Sequence, residues 1–265
     1  VANGIHPRYG IISPYWMAAA AIDEALRNIV ATGGSLGKTA ILDNFCWANT
    51  DEPERLGTLV MAAKACKDFA TAYGTPFISG KDSLHNEVVS EGKKIPIIDT
   101  LLISAIAVIE NIDNIVTMDI KKEGSALYII GETKNDMGGS HYNEMIGLGL
   151  ETGNVPVIDA AKSKRTFAAV EEAIKKRTVL ACHDCSEGGI AVTITEMCFA
   201  GGIGAEIELR NAPHLGSDIT DEAMLFSESQ TRFVAEVEKG KEAAFENVMN
   251  KNGCSYGLLG KTKGK

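Results

Sequence analysis

The sequence predicts an α+β protein of two domains, each built around one β-sheet. Strand-like and helical patterns alternate irregularly along both halves of the chain. At 265 residues the chain is long for a single hydrophobic core. A charged segment over residues 110–123 separates the halves, as domain linkers often do. We therefore place the domains at residues 1–118 and 119–265.

The composition is that of a globular protein and argues against two classes of partner. Hydrophobic residues make up 45% of the chain and charged residues 23%, so disorder is not expected. The net charge of −9 argues against nucleic acid and acidic membranes as partners. No apolar run reaches the roughly 18 residues of a membrane span, and no signal peptide is recognisable.

Six cysteines without a secretory signal predict reduced thiols and a cytoplasmic protein. Cys182 and Cys185 form a C-x-x-C motif, but no second ligand pair accompanies it, so we assign it neither zinc nor redox chemistry. The sequence starts at Val1 rather than at methionine, which suggests a piece of a longer polypeptide.

The first domain is predicted to open with a helix over residues 15–32. Ser13 and Pro14 form a typical helix start, and a Gly-Gly pair follows the last helical position. Glu24 and Asn28 lie four residues apart, and therefore on one face of this helix. Two oxygen ligands one turn apart suit a hard cation. The alternative is an ordinary solvated helix face.

The rest of the first domain is predicted to alternate strands and helices around a second polar motif. The pattern indicates a strand over 39–45 that ends near Asp43, a helix over 53–72, a strand over 76–78, a hairpin over 87–94 and a strand over 95–109. In the polar loop over 79–83, Lys81 could neutralise a phosphate and Asp82 could hold a metal ion. An ordinary polar turn is the alternative.

The second domain is predicted to contain several short strands and two clear helices. The pattern indicates strands over 126–131, 179–181, 205–209, 233–237 and 256–259, a glycine turn over 137–140, and helices over 166–177 and 241–250. Each element is short enough to lie on one sheet with helices beside it.

The stretch 180–202 combines a strand end, a sharp glycine turn and a helix. Its turn contains the polar and glycine residues His183, Asp184, Ser186, Glu187, Gly188 and Gly189. Such a turn presents backbone N–H groups and a helix N-terminus to an anion. Carboxylates beside a phosphate site often share a magnesium ion with it, so we predict a Mg-nucleotide site here. A plain turn with a serine cap is the alternative.

Five motifs, taken in order, resemble one protein family. They are DEALRN (23–28), LDNF with NTDEPERLG (42–57), TPFISGKDSLHNE (75–87), HDCSEGG (183–189) and LFSESQTRF (225–233). Together they resemble phosphoribosylformylglycinamidine synthase, in its synthetase component PurL, over essentially the whole chain. The wider group includes aminoimidazole ribonucleotide synthetase, selenophosphate synthetase and thiamine-phosphate kinase.

The resemblance implies a particular fold and assembly. An N-terminal α/β domain closes a barrel with a partner domain, and a larger α+β domain follows. The full synthetase carries this pair twice, and the present chain looks like the second copy. The Ser-His-Asn-His type motif of the first copy does not occur here, so we assign no catalytic residue to this chain. Expected partners are the missing first half, a glutaminase that supplies ammonia, and a second copy of the chain paired through its first domain.

The resemblance also implies an ATP-dependent amidation of formylglycinamide ribonucleotide, with Mg²⁺ and ATP, or ADP in an auxiliary site, as cofactors. By motif position, the implied metal ligands are Glu24, Asn28 and Asp184. The implied nucleotide contacts are Asp43, Gly80, Lys81, Ser186, Gly188 and Gly189, and Ser83 is the implied substrate contact. A cation cannot ligate a cation, so Lys81 is assigned to phosphate rather than to the metal. His183 is expected to support Asp184, and the role of residues 227–230 is left open.

Two other functions are compatible with these motifs. One is a structural module whose nucleotide pocket is vestigial. The other is a small-molecule kinase of the wider group that acts as a homodimer. Loss of nucleotide affinity on mutation of Glu24 and Asp184 would argue against the first, and ATP turnover by the isolated chain would favour the second.

Overall fold

The structure, a computed structural model, describes residues 1–264 and has an α+β architecture. The strands are β1 (Ala2–Ile5), β2 (Thr39–Cys46), β3 (Phe77–Ser83), β4 (Glu87–Ser90), β5 (Lys93–Pro96), β6 (Thr100–Ala107), β7 (Ala126–Ile130), β8 (Val179–Asp184), β9 (Gly204–Ile207), β10 (Phe233–Val237) and β11 (Tyr256–Lys263). The helices are α1 (Pro7–Ile12), α2 (Pro14–Ala31), α3 (Pro53–Tyr73), α4 (His141–Met145), α5 (Ala160–Lys175), α6 (Gly189–Gly201), α7 (Asp221–Phe226) and α8 (Glu242–Lys251). The predicted fold class is confirmed.

The first domain is a four-stranded sheet in the order β1-β6-β2-β3, covered on one face by helices α2 and α3. Strands β2 and β3 are parallel, and the other pairs are antiparallel. Along β6, Leu101, Ile103 and Ala105 are buried beneath the helices, while Ile106 on the other face is 44% exposed. This alternation leaves the second face of the sheet open.

Helix α2 is the centre of the molecule. The Ser13 side chain accepts a hydrogen bond from the Trp16 N–H at 3.4 Å, and Pro14 occupies the first helical position, as predicted. The helix contacts β1, β6 and α3 in its own domain, and α5 and β8 in the second. Because it is enclosed on almost every side, its charged residues Asp23, Glu24 and Arg27 are all buried.

The second domain is a five-stranded antiparallel sheet in the order β8-β10-β7-β11-β9. Strand alternation divides its side chains between two cores. Tyr128 and Ile130 pack with α5, α8 and the first domain, whereas Leu127 and Ile129 pack beneath α6 and α7. The first of these cores is therefore continuous from one domain to the other.

The structure corrects the predicted elements at several places. Strand β3 continues to Ser83, whereas the sequence predicted a loop from residue 79, because each residue from Ser79 onward pairs with β2. Strand β1 and helices α1 and α7 were not predicted, and β8 continues to Asp184, which the sequence placed in the glycine turn. The long strand predicted over 95–109 is divided, since β5 belongs to the hairpin and β6 to the main sheet.

Two further expectations concern the chain as a whole. All six cysteines lie within the described residues and are free thiols. Over residues 1–264, we find no helix with the length and apolar character needed to cross a membrane.

Candidate functional site

A buried polar cluster lies where helix α2 meets the turn between β8 and α6. The Ser186 hydroxyl donates to Glu24 Oε1 at 2.5 Å, although the two residues are 162 positions apart. Glu24 is 7% exposed and Asp184 is 2% exposed. The structure thus brings the early helix and the late glycine turn together at one place.

The Glu24 carboxylate is already surrounded by donors from the protein. Besides Ser186, the Ile5 N–H donates to Glu24 Oε2 at 2.7 Å, and His6 Nε2 lies 3.2 Å from the same oxygen. Burial lowers the pKa of His6, so its imidazole is neutral near pH 7. Asn28 points its amide toward backbone, donating to the carbonyl of Glu24 at 3.2 Å.

Arg27 occupies the centre of the cluster and is fully buried. Its guanidinium donates to Asp23 and to Gln230, and its Nε lies 3.5 Å from Asp184 Oδ2. Burial opposes the charge on Arg27, but Asp23 and Asp184 outweigh it and raise the pKa of the guanidinium. An arginine with this surrounding remains a cation at any physiological pH.

Asp184 is a stable anion within this arrangement. Burial acts to raise the pKa of its carboxyl, but a hydrogen bond from His183 and the charge of Arg27 lower it below its usual range. His183 Nδ1 lies 3.2 Å from Asp184 Oδ1, and His183 Nε2 lies 2.9 Å from Glu196 Oε2. His183 therefore contacts Asp184 directly, a geometry that agrees with the supporting role expected for it.

Asp23 joins the helix to the loop that precedes β10. Its carboxylate accepts hydrogen bonds from the Thr231 N–H at 3.0 Å and from the Thr231 hydroxyl at 2.6 Å. The Tyr73 hydroxyl donates to the same group at 3.1 Å. With Arg27 as a fourth partner, Asp23 is the most fully hydrogen-bonded carboxylate of helix α2.

The glycine turn at the start of α6 faces a carboxylate of the chain itself. Glu228 Oε1 accepts from the Gly188 N–H at 3.1 Å and from the His141 N–H at 3.0 Å. Glu228 Oε2 accepts from the Tyr9 hydroxyl at 2.7 Å. The backbone donors that the sequence assigned to a phosphate are thus directed, in part, at Glu228.

A cavity of about 380 Å³ lies beside this cluster and includes Glu187 and Glu228 in its wall. Burial, followed by repulsion from Glu24 and Glu228, raises the pKa of Glu187 to about 7. Arg8 also lines the cavity, but its guanidinium is paired with Glu144 at 2.5 Å. The local charge of the cavity is therefore dominated by carboxyl groups.

The second group of predicted residues lies elsewhere, on the exposed edge of the first sheet. Parallel pairing of β2 with β3 sets Asp43 beside Gly80 and brings Lys81 and Ser83 to the same edge. The Lys81 N–H donates to Asp43 Oδ1 at 3.2 Å, and the Lys81 ammonium contacts the Ser83 hydroxyl. A Cβ atom at Gly80 would stand 2.1 Å from Asp43 Oδ1, so only glycine allows this carboxylate position.

The residues predicted as magnesium ligands do not fit a metal ion as they are arranged. Among residues 1–264, no three or more His, Cys, Asp or Glu side chains form a group suited to a metal. Glu24 has protein donors on both oxygens. Asp184 Oδ2 is buried without a hydrogen-bond partner and lies 3.5 Å from Arg27 Nε. The Arg27 cation thus stands beside the carboxylate oxygen that a metal ion would need, so we derive no step through a metal where α2 meets the β8–α6 turn.

Sequence reasoning missed four residues of the junction. Asp23 and Arg27 lie inside the DEALRN motif, and their spacing of four was itself a signal for an ion pair on one helix face. Glu228 lies in a segment whose role was left open. Tyr9 had no signal in the sequence, because its partner Glu228 is 219 residues away.

The fold and its polar junction can now be compared with those of known protein families. Residues 122–265 match the family described as AIR synthase related protein, C-terminal domain, and residues 2–104 match the N-terminal domain of that family. The chain therefore belongs to the AIR synthase-related family. Within it the chain is PurL-like, as the motifs indicated.

The relatives and solved structures agree with this placement. The chain is 35% identical over 259 residues to the phosphoribosylformylglycinamidine synthase subunit PurL of Methanocaldococcus jannaschii, a match that covers 97% of this chain and 34% of that protein. PurLQS from Thermotoga maritima superposes with a TM-score of 0.77 and 19% identity over 100% of this chain and 40% of that one. T. maritima PurL complexed with ADP superposes with a TM-score of 0.76 and 19% identity, over 100% of this chain and 39% of that one. The chain spans about a third of the length of its curated relatives, and the structural matches speak for the fold alone.

Proposed function

We propose that this chain is part of an ATP-dependent phosphoribosylformylglycinamidine synthase of purine biosynthesis, and that the β2–β3 edge is its contribution to the ATP site. The supporting observation is that Asp43 on β2 lies beside Gly80 on the exposed edge strand β3, and that Lys81 and Ser83 follow Gly80 on that strand. The proposal agrees with the name of the M. jannaschii relative. We place such an enzyme in the cytoplasm.

The proposed reaction places an ammonia nitrogen on the substrate amide. ATP phosphorylates the formyl amide oxygen of formylglycinamide ribonucleotide, and ammonia from a glutaminase component then displaces phosphate. Such chemistry depends mostly on positioning and on neutralising the triphosphate charge. The Lys81 ammonium would meet a phosphate oxygen and the Ser83 hydroxyl would position the substrate. Magnesium bound with the triphosphate would neutralise further charge.

Replacing Lys81 by alanine is expected to weaken ATP binding without unfolding the protein. A hydrogen bond to a charged group contributes about 1.5–3 kcal/mol, so KM for ATP should rise about 10- to 100-fold. The measurement is steady-state kinetics of a complete synthetase that carries this segment. Because Lys81 lies on an exposed strand, the melting temperature should change little.

Lys67→Ala is the matched control, since Lys67 is an exposed lysine on helix α3, away from β3. It should leave KM for ATP within about twofold of the wild type. An equal KM for ATP in the Lys81→Ala and Lys67→Ala enzymes would refute the proposed phosphate contact.

We further propose that the open face of the first sheet is covered by a second AIR synthase-related N-terminal domain. Ile78 on β3 and Ile106 on β6 are 61% and 44% exposed, and Val88 and Val89 on the hairpin are 59% and 65% exposed. An apolar surface beside an open strand edge is unfavourable in water and favours pairing. In the complete synthetase the partner domain would come from the first copy of the domain pair.

The isolated chain should therefore pair with itself. Light scattering is expected to give twice the 28.2 kDa mass of one chain. Ile106→Asp should return the mass to that of one chain, because it puts a charge into the proposed interface. Ile112→Asp, at a 77% exposed position outside the sheet, should leave the pair intact. A wild-type chain that stays monomeric at high concentration would exclude this interface.

A further inference from the structure

We propose that the pocket at the junction of helix α2 with the β8–α6 turn is filled by charged side chains of the chain itself. Arg27 takes the place of the metal ion and Glu228 takes the place of a phosphate, so the pocket binds no Mg-nucleotide and instead fastens the two domains together. This inference does not depend on the proposed function, which concerns the β2–β3 edge on another face of the first domain.

The position of Arg27 supports the first half of this inference. A divalent ion between α2 and the β8–α6 turn would need oxygens from Glu24 and Asp184. Glu24 already receives two N–H or O–H donors at 2.5 and 2.7 Å, and the Arg27 Nε faces Asp184 at 3.5 Å. Two positive groups cannot share this fully buried space, because a second unpaired charge would have a large desolvation penalty.

The position of Glu228 supports the second half. The N-terminus of a helix such as α6 attracts an anion through its free N–H groups and its dipole. Glu228 accepts the Gly188 N–H at that N-terminus, and it also accepts the His141 N–H and the Tyr9 hydroxyl from elsewhere in the chain. A polyphosphate entering the adjacent cavity would also meet Glu187 in its wall. Like charges repel at close range, so the Glu228 carboxylate disfavours a phosphate group at this helix N-terminus.

The same contacts connect the two domains. Asp23 accepts from Thr231, Glu24 accepts from Ser186, and Tyr9 donates to Glu228, and each of these hydrogen bonds joins the first domain to the second. Separating the domains would break these hydrogen bonds and leave buried polar and charged groups unpaired, so the contacts favour one relative geometry. The pocket therefore holds the relative orientation of the domains without a ligand.

A manganese titration of the full 265-residue chain, followed by electron paramagnetic resonance, tests the cation half. We compare the wild type, Arg27→Ala and Arg27→Lys. Removing the internal cation should create a Mn²⁺ site that binds at least about tenfold more tightly than any in the wild type, and Arg27→Lys should not. Adding Asp184→Asn to Arg27→Ala should abolish the gain. A wild-type Mn²⁺ site that weakens in Asp184→Asn would overturn the inference.

A second measurement uses variants that keep the ion network, in case Arg27→Ala does not fold. It records the shift in melting temperature caused by Mg-ADP in the wild type, Ser186→Ala and Lys81→Ala. A filled junction predicts the same shift in the wild type and Ser186→Ala. A shift lost in Ser186→Ala but kept in Lys81→Ala would overturn the inference. A shift lost in Lys81→Ala alone would support both the filled junction and the proposed ATP site at the β2–β3 edge. If Mg-ADP shifts the melting temperature of none of these proteins, the result would support the filled junction and count against nucleotide binding at the β2–β3 edge.

Discussion

Replacing Asp23 by alanine is expected to lower the free energy of unfolding by about 3–5 kcal/mol. The carboxylate is fully buried and is bonded to Arg27, Tyr73 and Thr231. Its removal leaves the Arg27 cation in the protein interior with Gln230 as a hydrogen-bond acceptor and Asp184, at 3.5 Å, as the remaining carboxylate partner. It also leaves the buried Tyr73 hydroxyl without its acceptor, and an unpaired buried polar group has a further cost. Urea denaturation of the purified variant measures the change.

Asp51→Ala is the matched control for this prediction. Asp51 is exposed in the loop before α3, so the same chemical change there should alter stability by less than about 0.5 kcal/mol. The two variants have the same net charge, and the comparison therefore removes any general effect of charge. A stability loss of under about 1 kcal/mol for Asp23→Ala would show that Arg27 does not depend on this carboxylate.

The prediction for Asp23 also shows where helical periodicity stops being informative. Asp23 and Arg27 are four residues apart, and so are Glu24 and Asn28, so the pattern cannot tell whether either pair faces the second domain. The usual answer, a solvated face, fails because α2 has no solvated face at this point. Whether the carboxylates of this helix are enclosed depends on where the second domain packs, and that is a property of the whole fold.

The exposed strand β3 shows a different limit of the sequence. The segment Ser79 to Ser83 has small, polar and charged residues that read as a turn, and local preference for strand is weak there. Pairing with β2 overrides that preference and aligns Asp43 with Gly80. The parallel pairing places the motif residues on two neighbouring strands. Their placement on a strand edge, rather than in a loop, required the parallel register.

Replacing Gly189 by alanine is expected to reduce the free energy of unfolding by about 2–5 kcal/mol, and the causes are backbone conformation and packing rather than ligand binding. Gly189 has a φ of 62°, which is unfavourable for an alanine by about 1–2 kcal/mol. A Cβ atom there would also stand 2.4 Å from the Ser227 carbonyl oxygen and 2.7 Å from that of Leu225. Relieving this overlap requires movement of the segment that carries Glu228, with a cost of about 1–3 kcal/mol.

Gly202→Ala separates the two contributions, because Gly202 ends the same helix with a φ of 65° and has open space where a Cβ would lie. Its free energy of unfolding should fall by only the conformational contribution, about 1–2 kcal/mol. The difference between the two variants then measures how closely the turn packs on the segment before β10. Equal losses would mean that this segment yields easily. Glu228 could then leave the helix N-terminus, and the turn would again be open to a phosphate, as the sequence alone suggested.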